Sequence, residues 1–176
     1  HIDVEEIFSL ASTSKNINKL VHLVVESNLC ISKQIMEDYW KVTKDGNALK
    51  DVKNQTENIC IAAIKQTSYS LEYVDNQTED ICLIAVKQKG DTLCYVKNQT
   101  EEICIAAVKQ NGFALMYVKN QTEKICMAAV SQNGFALKYV KNQTEEICIA
   151  AVTQNKDALK YVRSPAMKKR IKATLY

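Results

Sequence analysis

The chain has 176 residues, 47% of them apolar, which is enough for one continuous core and too few for a second full-sized domain. Four glycines and one proline are far below ordinary usage; this excludes turn-rich sandwiches, barrels and glycine-cradled nucleotide sites, and points to helices. Two histidines, His1 and His22, leave little for a catalytic histidine or a histidine metal centre, and a net charge of +3 is ordinary for a soluble protein.

Residues 1–45 are expected to form an N-terminal helical cap, with Met36, Tyr39 and Trp40 where later segments carry smaller apolar side chains. Within this cap, Val4-Glu5-Glu6-Ile7-Phe8-Ser9-Leu10-Ala11-Ser12-Thr13-Ser14-Lys15-Asn16-Ile17-Asn18-Lys19-Leu20 resembles the middle and end of an F-box. That resemblance implies docking to the adaptor of a ubiquitin ligase. The leading Leu-Pro segment of an F-box is absent, and the other reading of residues 1–20 is a plain amphipathic helix pair covering the first repeat.

Residues 46–163 repeat with a period of 22. Asn-Gln-Thr begins at Asn54, Asn76, Asn98, Asn120 and Asn142. In the same register stand Cys60, Cys82, Cys104, Cys126 and Cys148, five glutamines from Gln66 to Gln154, five leucines from Leu71 to Leu159, and five tyrosines from Tyr73 to Tyr161. Residues 96–117 and 118–139 differ only at Glu102/Lys124, Ile105/Met127, Lys109/Ser131 and Met116/Lys138. Within one unit, Asn98-Gln99-Thr100-Glu101 has the form of a capping box and predicts a helix start, with Asn as the cap. Ile103-Cys104-Ile105-Ala106-Ala107-Val108 continues that helix, apolar on nearly every face, as suits a helix covered by neighbours. Gly90, Gly112 and Gly134 are expected to end the helices in the left-handed conformation. A second, shorter helix then runs through Ala114-Leu115-Met116-Tyr117-Val118. Twenty-two residues cannot bury a core alone, so the units must stack: the fold class expected is all-α, an α-solenoid of about five two-helix repeats with atypical capping helices.

Residues 164–176 form the last predicted element. Ser164-Pro165 starts a helix, and Met167, Ile171 and Leu175 make one apolar stripe at four-residue spacing. Arg163, Lys168, Lys169, Arg170 and Lys172 stand without an acid from residue 163 onward, giving +5 there and leaving −2 for residues 1–162. The basic character belongs to the closing helix. Its readings are a solvated outer face, a local anionic partner or a nuclear signal.

The stretch Asn133 to Val152, Asn-Gly-Phe-Ala-Leu-Lys-Tyr-Val-Lys-Asn-Gln-Thr-Glu-Glu-Ile-Cys-Ile-Ala-Ala-Val, resembles short helical repeats of unassigned function carried by mimivirus-like giant viruses, over roughly residues 46–163. The resemblance implies an intracellular viral protein acting in the host cytoplasm, and no activity.

The composition assigns little chemistry. The Asn-Gln-Thr triplets match the glycosylation acceptor pattern, but each stands where a helix begins, and capping is the preferred reading. None of the seven cysteines forms a Cys-x-x-Cys pair, and the repeated ones have apolar neighbours, so buried filler is expected over redox or metal chemistry. Identical repeats offer no convergence of unlike groups, so no catalytic, metal or cofactor site is assigned, and no enzyme. No apolar run reaches the roughly 18 residues of a membrane span, and no signal peptide opens the chain, so no membrane partner is expected. The role expected is a scaffold that binds another protein. Its candidate contact residues are Tyr69, Phe113, Met116, Phe135, Lys138 and Lys160, which lie at or near positions that vary while the frame is constant. The alternatives are an F-box-like substrate receptor and a nucleic-acid-binding repeat protein. The second would use the tyrosine column beside Lys97, Lys119, Lys141 and Arg163, although nearby glutamates dilute such a field. Partner identity and oligomeric state are not legible.

Overall fold

A computed structural model describes residues 33–175, and the F-box-like segment lies outside them. The described residues form helices joined by short bends, without a strand. Seven α-helices alternate with six short 3₁₀-helices. The α-helices are α1 (Lys33–Lys44), α2 (Glu57–Gln66), α3 (Glu79–Gln88), α4 (Glu101–Gln110), α5 (Glu123–Gln132), α6 (Glu145–Gln154) and α7 (Pro165–Leu175). Between them run η1 (Gly46–Asp51), η2 (Ser68–Tyr73), η3 (Gly90–Tyr95), η4 (Gly112–Tyr117), η5 (Gly134–Tyr139) and η6 (Lys156–Tyr161). Two compact units are distinguished, the first ending at Asn76 and the second starting at Gln77.

In the first unit α1 and η1 pack on α2. Met36, Tyr39 and Val42 are buried and Trp40 is half-buried, so large side chains make the core face of this first helix. In the second unit α3 packs on α4, α4 on α5 and α5 on α6, and each of η3, η4 and η5 packs on the α-helix that follows it. Helix pairs repeat every 22 residues and each is covered by its sequence neighbours, which is the α-solenoid arrangement read from the period. Ile, Cys, Ala, Val and Leu supply the core of the second unit: Ile103, Cys104, Ala107, Val108, Ala114 and Leu115 are buried, as are their equivalents there, except that Leu159 is half-buried.

The second element of each repeat is a 3₁₀-helix, held by bonds such as Ala114 N to Asn111 O (2.8 Å) and Val118 N to Leu115 O (3.2 Å). The 3₁₀ geometry brings the two elements of a repeat closer in length. Six residues at about 2.0 Å rise extend ~12 Å. That nearly matches the ~15 Å of a ten-residue α-helix, which a six-residue α-helix could not do.

Two local expectations are corrected. The α-helices are capped by threonine and not by asparagine: Thr100, Thr122 and Thr144 accept from the amides of Ile103, Ile125 and Ile147 at 3.3 Å, and each helix starts at the next residue. Asn98, Asn120 and Asn142 are exposed in the preceding bend. Threonine wins because the chain reaches the extended geometry a cap requires only two residues later, with Thr100 at φ −78°, ψ 161°. The glycines do not adopt the left-handed conformation either. Each α-helix ends on an extended residue such as Asn111 (φ −145°, ψ 110°), and glycine follows because there is no room for a side chain. A Cβ on Gly112 would lie 2.7 Å from the Ala129 carbonyl oxygen of the next repeat. Asparagine does cap the short helices, with Asn111 and Asn133 accepting from Phe113 N and Phe135 N at 3.0 Å.

Candidate functional site

The constant part of the repeat explains how its variable positions are presented. Gln99, Gln121 and Gln143 act as latches between neighbours. Gln121 donates through Nε2 to Tyr139 O (3.0 Å) and Leu115 O (3.3 Å), and its Oε1 accepts from Lys141 N (2.9 Å). A second glutamine column works at the other end of the helix: Gln132 Oε1 accepts from Gly112 N at 2.7 Å, and Gln154 from Gly134 N at 2.6 Å. Sequence reading places both columns in register and gives neither a role. The available signal is an uncharged, long, polar residue held constant where surface positions drift.

The short helices are thereby held as a ridge, and most of the candidate contact residues lie on it. Met116 is 51% exposed on η4. Phe113 and Phe135 are half-buried, each edge-on to the tyrosine of the next repeat: Phe113 to Tyr139 and Phe135 to Tyr161, with ring centroids 6.0 Å apart in both pairs. Lys138 Nζ stands 5.2 Å from the Phe113 ring centre and 4.5 Å from that of Tyr139; Lys160 Nζ lies 5.1 Å from both Phe135 and Tyr161. Hydrogen bonding with Tyr139 holds the Lys138 ammonium above the usual lysine range. Phe, Tyr and Lys thus form a staple at each of these two repeat boundaries, joining edge-to-face and cation–π contacts. Tyr69, 39% exposed, is on η2 in the first unit and is not part of these staples.

The basic column is exposed, and three of its side chains donate to backbone carbonyls of the preceding repeat. Lys119 Nζ donates to Lys97 O (3.1 Å), Lys141 Nζ to Lys119 O (3.0 Å), and Arg163 Nη1 to Lys141 O (2.9 Å). Beside it Thr122 donates to Glu101 at 2.8 Å, and this bond holds the Glu101 carboxyl below its usual range.

Cys60, Cys82, Cys104, Cys126 and Cys148 are buried thiols outside any disulfide. Burial raises their pKa, to about 11 at Cys60 and Cys148, so they are protonated and weakly nucleophilic at neutral pH. Among the described residues no group of three or more His, Cys, Asp or Glu is arranged to hold a metal ion. No described helix is long and apolar enough to cross a membrane.

Stacked helix pairs with a constant latch and a variable ridge define a helical-repeat protein. The chain belongs to the family described as domain of unknown function DUF4116, whose model matches three times in tandem, over residues 78–122, 100–143 and 122–165. Each match starts at a capping threonine and spans two periods of this chain. No curated protein and no solved structure matches the chain.

Proposed function

We propose that the protein is a non-enzymatic scaffold that binds another protein through the ridge of short helices. The repeat array would run over residues 46–163, between capping segments 1–45 and 164–176. The observation that carries this reading is Met116: a large apolar side chain, half exposed, on a rigid ridge whose neighbouring positions vary among otherwise near-identical repeats. Exposed apolar side chains on a fixed frame are typical anchors of protein contacts. The staples add flat aromatic edges beside it. They also hold Phe113 and Phe135 in place, so a partner would meet an ordered surface at low entropic cost.

A protein ligand is favoured over nucleic acid by the basic column, since Lys119, Lys141 and Arg163 are turned onto backbone carbonyls. The likeness of the repeat to giant-virus repeats supports a viral protein acting in the host cytoplasm.

The test is affinity purification from infected or expressing cells, followed by mass spectrometry, with wild type beside Met116→Asp. A partner retained by wild type and lost by a variant of unchanged stability is the expected result. An identical partner set for both proteins would remove the ridge from consideration.

A further inference from the structure

The repeat register breaks at Pro165, and the surface there differs from every internal station of the second unit. Leu93, Leu115 and Leu137 are fully buried. Leu159, at the same position of η6, is only half-buried. The carbonyls of Leu115 and Leu137 also receive latch amides from Gln121 and Gln143. Pro165 occupies the next latch position and has no amide side chain to offer Leu159. α7 takes the place of a further repeat. It buries Ile171 and is clamped by a bidentate pair from Arg170 to Glu145, at 3.0 and 2.8 Å.

Between η6 and α7 this leaves a cleft of about 570 Å³, lined by Lys156, Asp157, Leu159, Lys160, Lys168 and Lys172. Its size falls in the range of ligand pockets. Four lysines against one aspartate make it strongly cationic, and their methylene stems extend the apolar surface around Leu159. The α7 wall supplies no further acid, since residues 163–176 contain none.

We infer that this cleft is a docking site for an amphipathic helix of a partner protein, its apolar stripe seated on Leu159 and its acidic flanks paired with Lys160, Lys168 and Lys172. The inference deepens the protein-binding reading and rests on it, adding a partner chemistry and a second location. Charge complementarity selects an acidic partner. The partly covered leucine, flanked by apolar lysine stems, gives an apolar stripe a seat and selects an amphipathic helix over a phosphate or a nucleic-acid backbone, which would leave that apolar surface unused. Rim charges would chiefly set the association rate and its salt dependence, and the apolar anchor the dissociation rate.

The probe is a fluorescein-labelled 16-residue peptide with leucines at i, i+3, i+4 and i+7 and glutamates on both flanks, titrated into the 176-residue protein by fluorescence anisotropy. Saturable binding that falls at least tenfold in the Lys168→Glu/Lys172→Glu protein, and as far in Leu159→Asp, is expected. The lysine pair is exposed or half-exposed, so that variant keeps the test decisive if Leu159→Asp does not fold. Equal binding of a peptide with the same composition in scrambled order would overturn the inference, because a mere polyanion site ignores the stripe. Displacement by an oligonucleotide but not by unlabelled peptide would overturn it too. If the peptide fails while Met116→Asp still loses its cellular partner, the cleft is refuted and the ridge stands. If the peptide binds and Met116→Asp changes nothing, the ridge alone is refuted.

Discussion

Replacing Gln121 by alanine removes a latch that neither helix propensity nor core burial explains. The side chain holds Tyr139 O, Leu115 O and Lys141 N, at 3.0, 3.3 and 2.9 Å. Leu115 O retains the amide of Val118 at 3.2 Å and is not stranded. Tyr139 O and Lys141 N lose their side-chain partner; the tyrosine is half-buried, and Lys141 is exposed enough for water to replace part of the loss. At about 1 kcal/mol for each lost bond, plus a partial desolvation penalty at Tyr139, Gln121→Ala should cost about 2–4 kcal/mol. Urea denaturation followed by circular dichroism measures it. With a slope of about 2 kcal/mol per molar, the midpoint should fall by about 1–2 M at unchanged slope. Gln121→Glu should be at least as damaging at pH 7, because a carboxylate then faces two carbonyl oxygens, repelling both and leaving that of Tyr139 without its side-chain donor. It should recover partly, relative to wild type at the same pH, below the carboxyl pKa of about 4.3, where a proton is available to donate. A loss under about 0.5 kcal/mol for Gln121→Ala, within the range of an ordinary surface substitution, would refute the latch.

The same geometry sets other outcomes. Thr122→Ala should cost about 0.5–2 kcal/mol as loss of a helix cap. Asn120→Ala, exposed in the bend, should stay within about 0.5 kcal/mol; thermal melts of the two variants decide, and the reverse order would restore asparagine as the cap. Gly112→Ala should destabilise by about 1–3 kcal/mol, since its Cβ meets a backbone carbonyl that cannot swing aside; a melting temperature equal to or above wild type would show that the repeats can separate to admit it. In native protein at pH 8, a chromogenic thiol reagent should react quickly with exposed Cys94 and slowly with Cys60, Cys82, Cys104, Cys126 and Cys148. The pKa of these five thiols is raised by folding, so their contribution is complete below the unfolded thiol value near 9. It is lost as pH rises toward about 11 at Cys60 and Cys148. Urea midpoints should therefore decline through that window, and Cys126→Ala should flatten part of the decline.

The period, the helical class and the identity of the core residues are legible in the sequence. An interval of 22 residues with one apolar run and one turn signal admits few packings, and a segment too short to bury its own core must lean on its copies. Met36 and Tyr39 likewise stand out as the larger side chains of the first helix. The details that need the fold are those set by contacts 18 to 22 residues away in sequence. Gln121 reads as an ordinary surface amide until Tyr139 and Lys141 are brought around it. Gly112 reads as a helix stop until the Ala129 carbonyl arrives where its side chain would be. The capping residue lies two positions beyond the asparagine that sequence suggests, because Asn and Thr are both good caps and only the backbone path decides which reaches the extended geometry before the first free amides. The six candidate contact residues are visible in the sequence as variable positions. That Phe113, Phe135, Lys138 and Lys160 belong to staples, that Met116 stands exposed, and that Leu159 opens into a lysine-lined cleft depends on which repeat stacks on which face. Sequence by itself determined the unit and its repetition, because periodic burial is a one-dimensional property. Tertiary structure alone decided how each unit grips the next, because those bonds join groups one period apart.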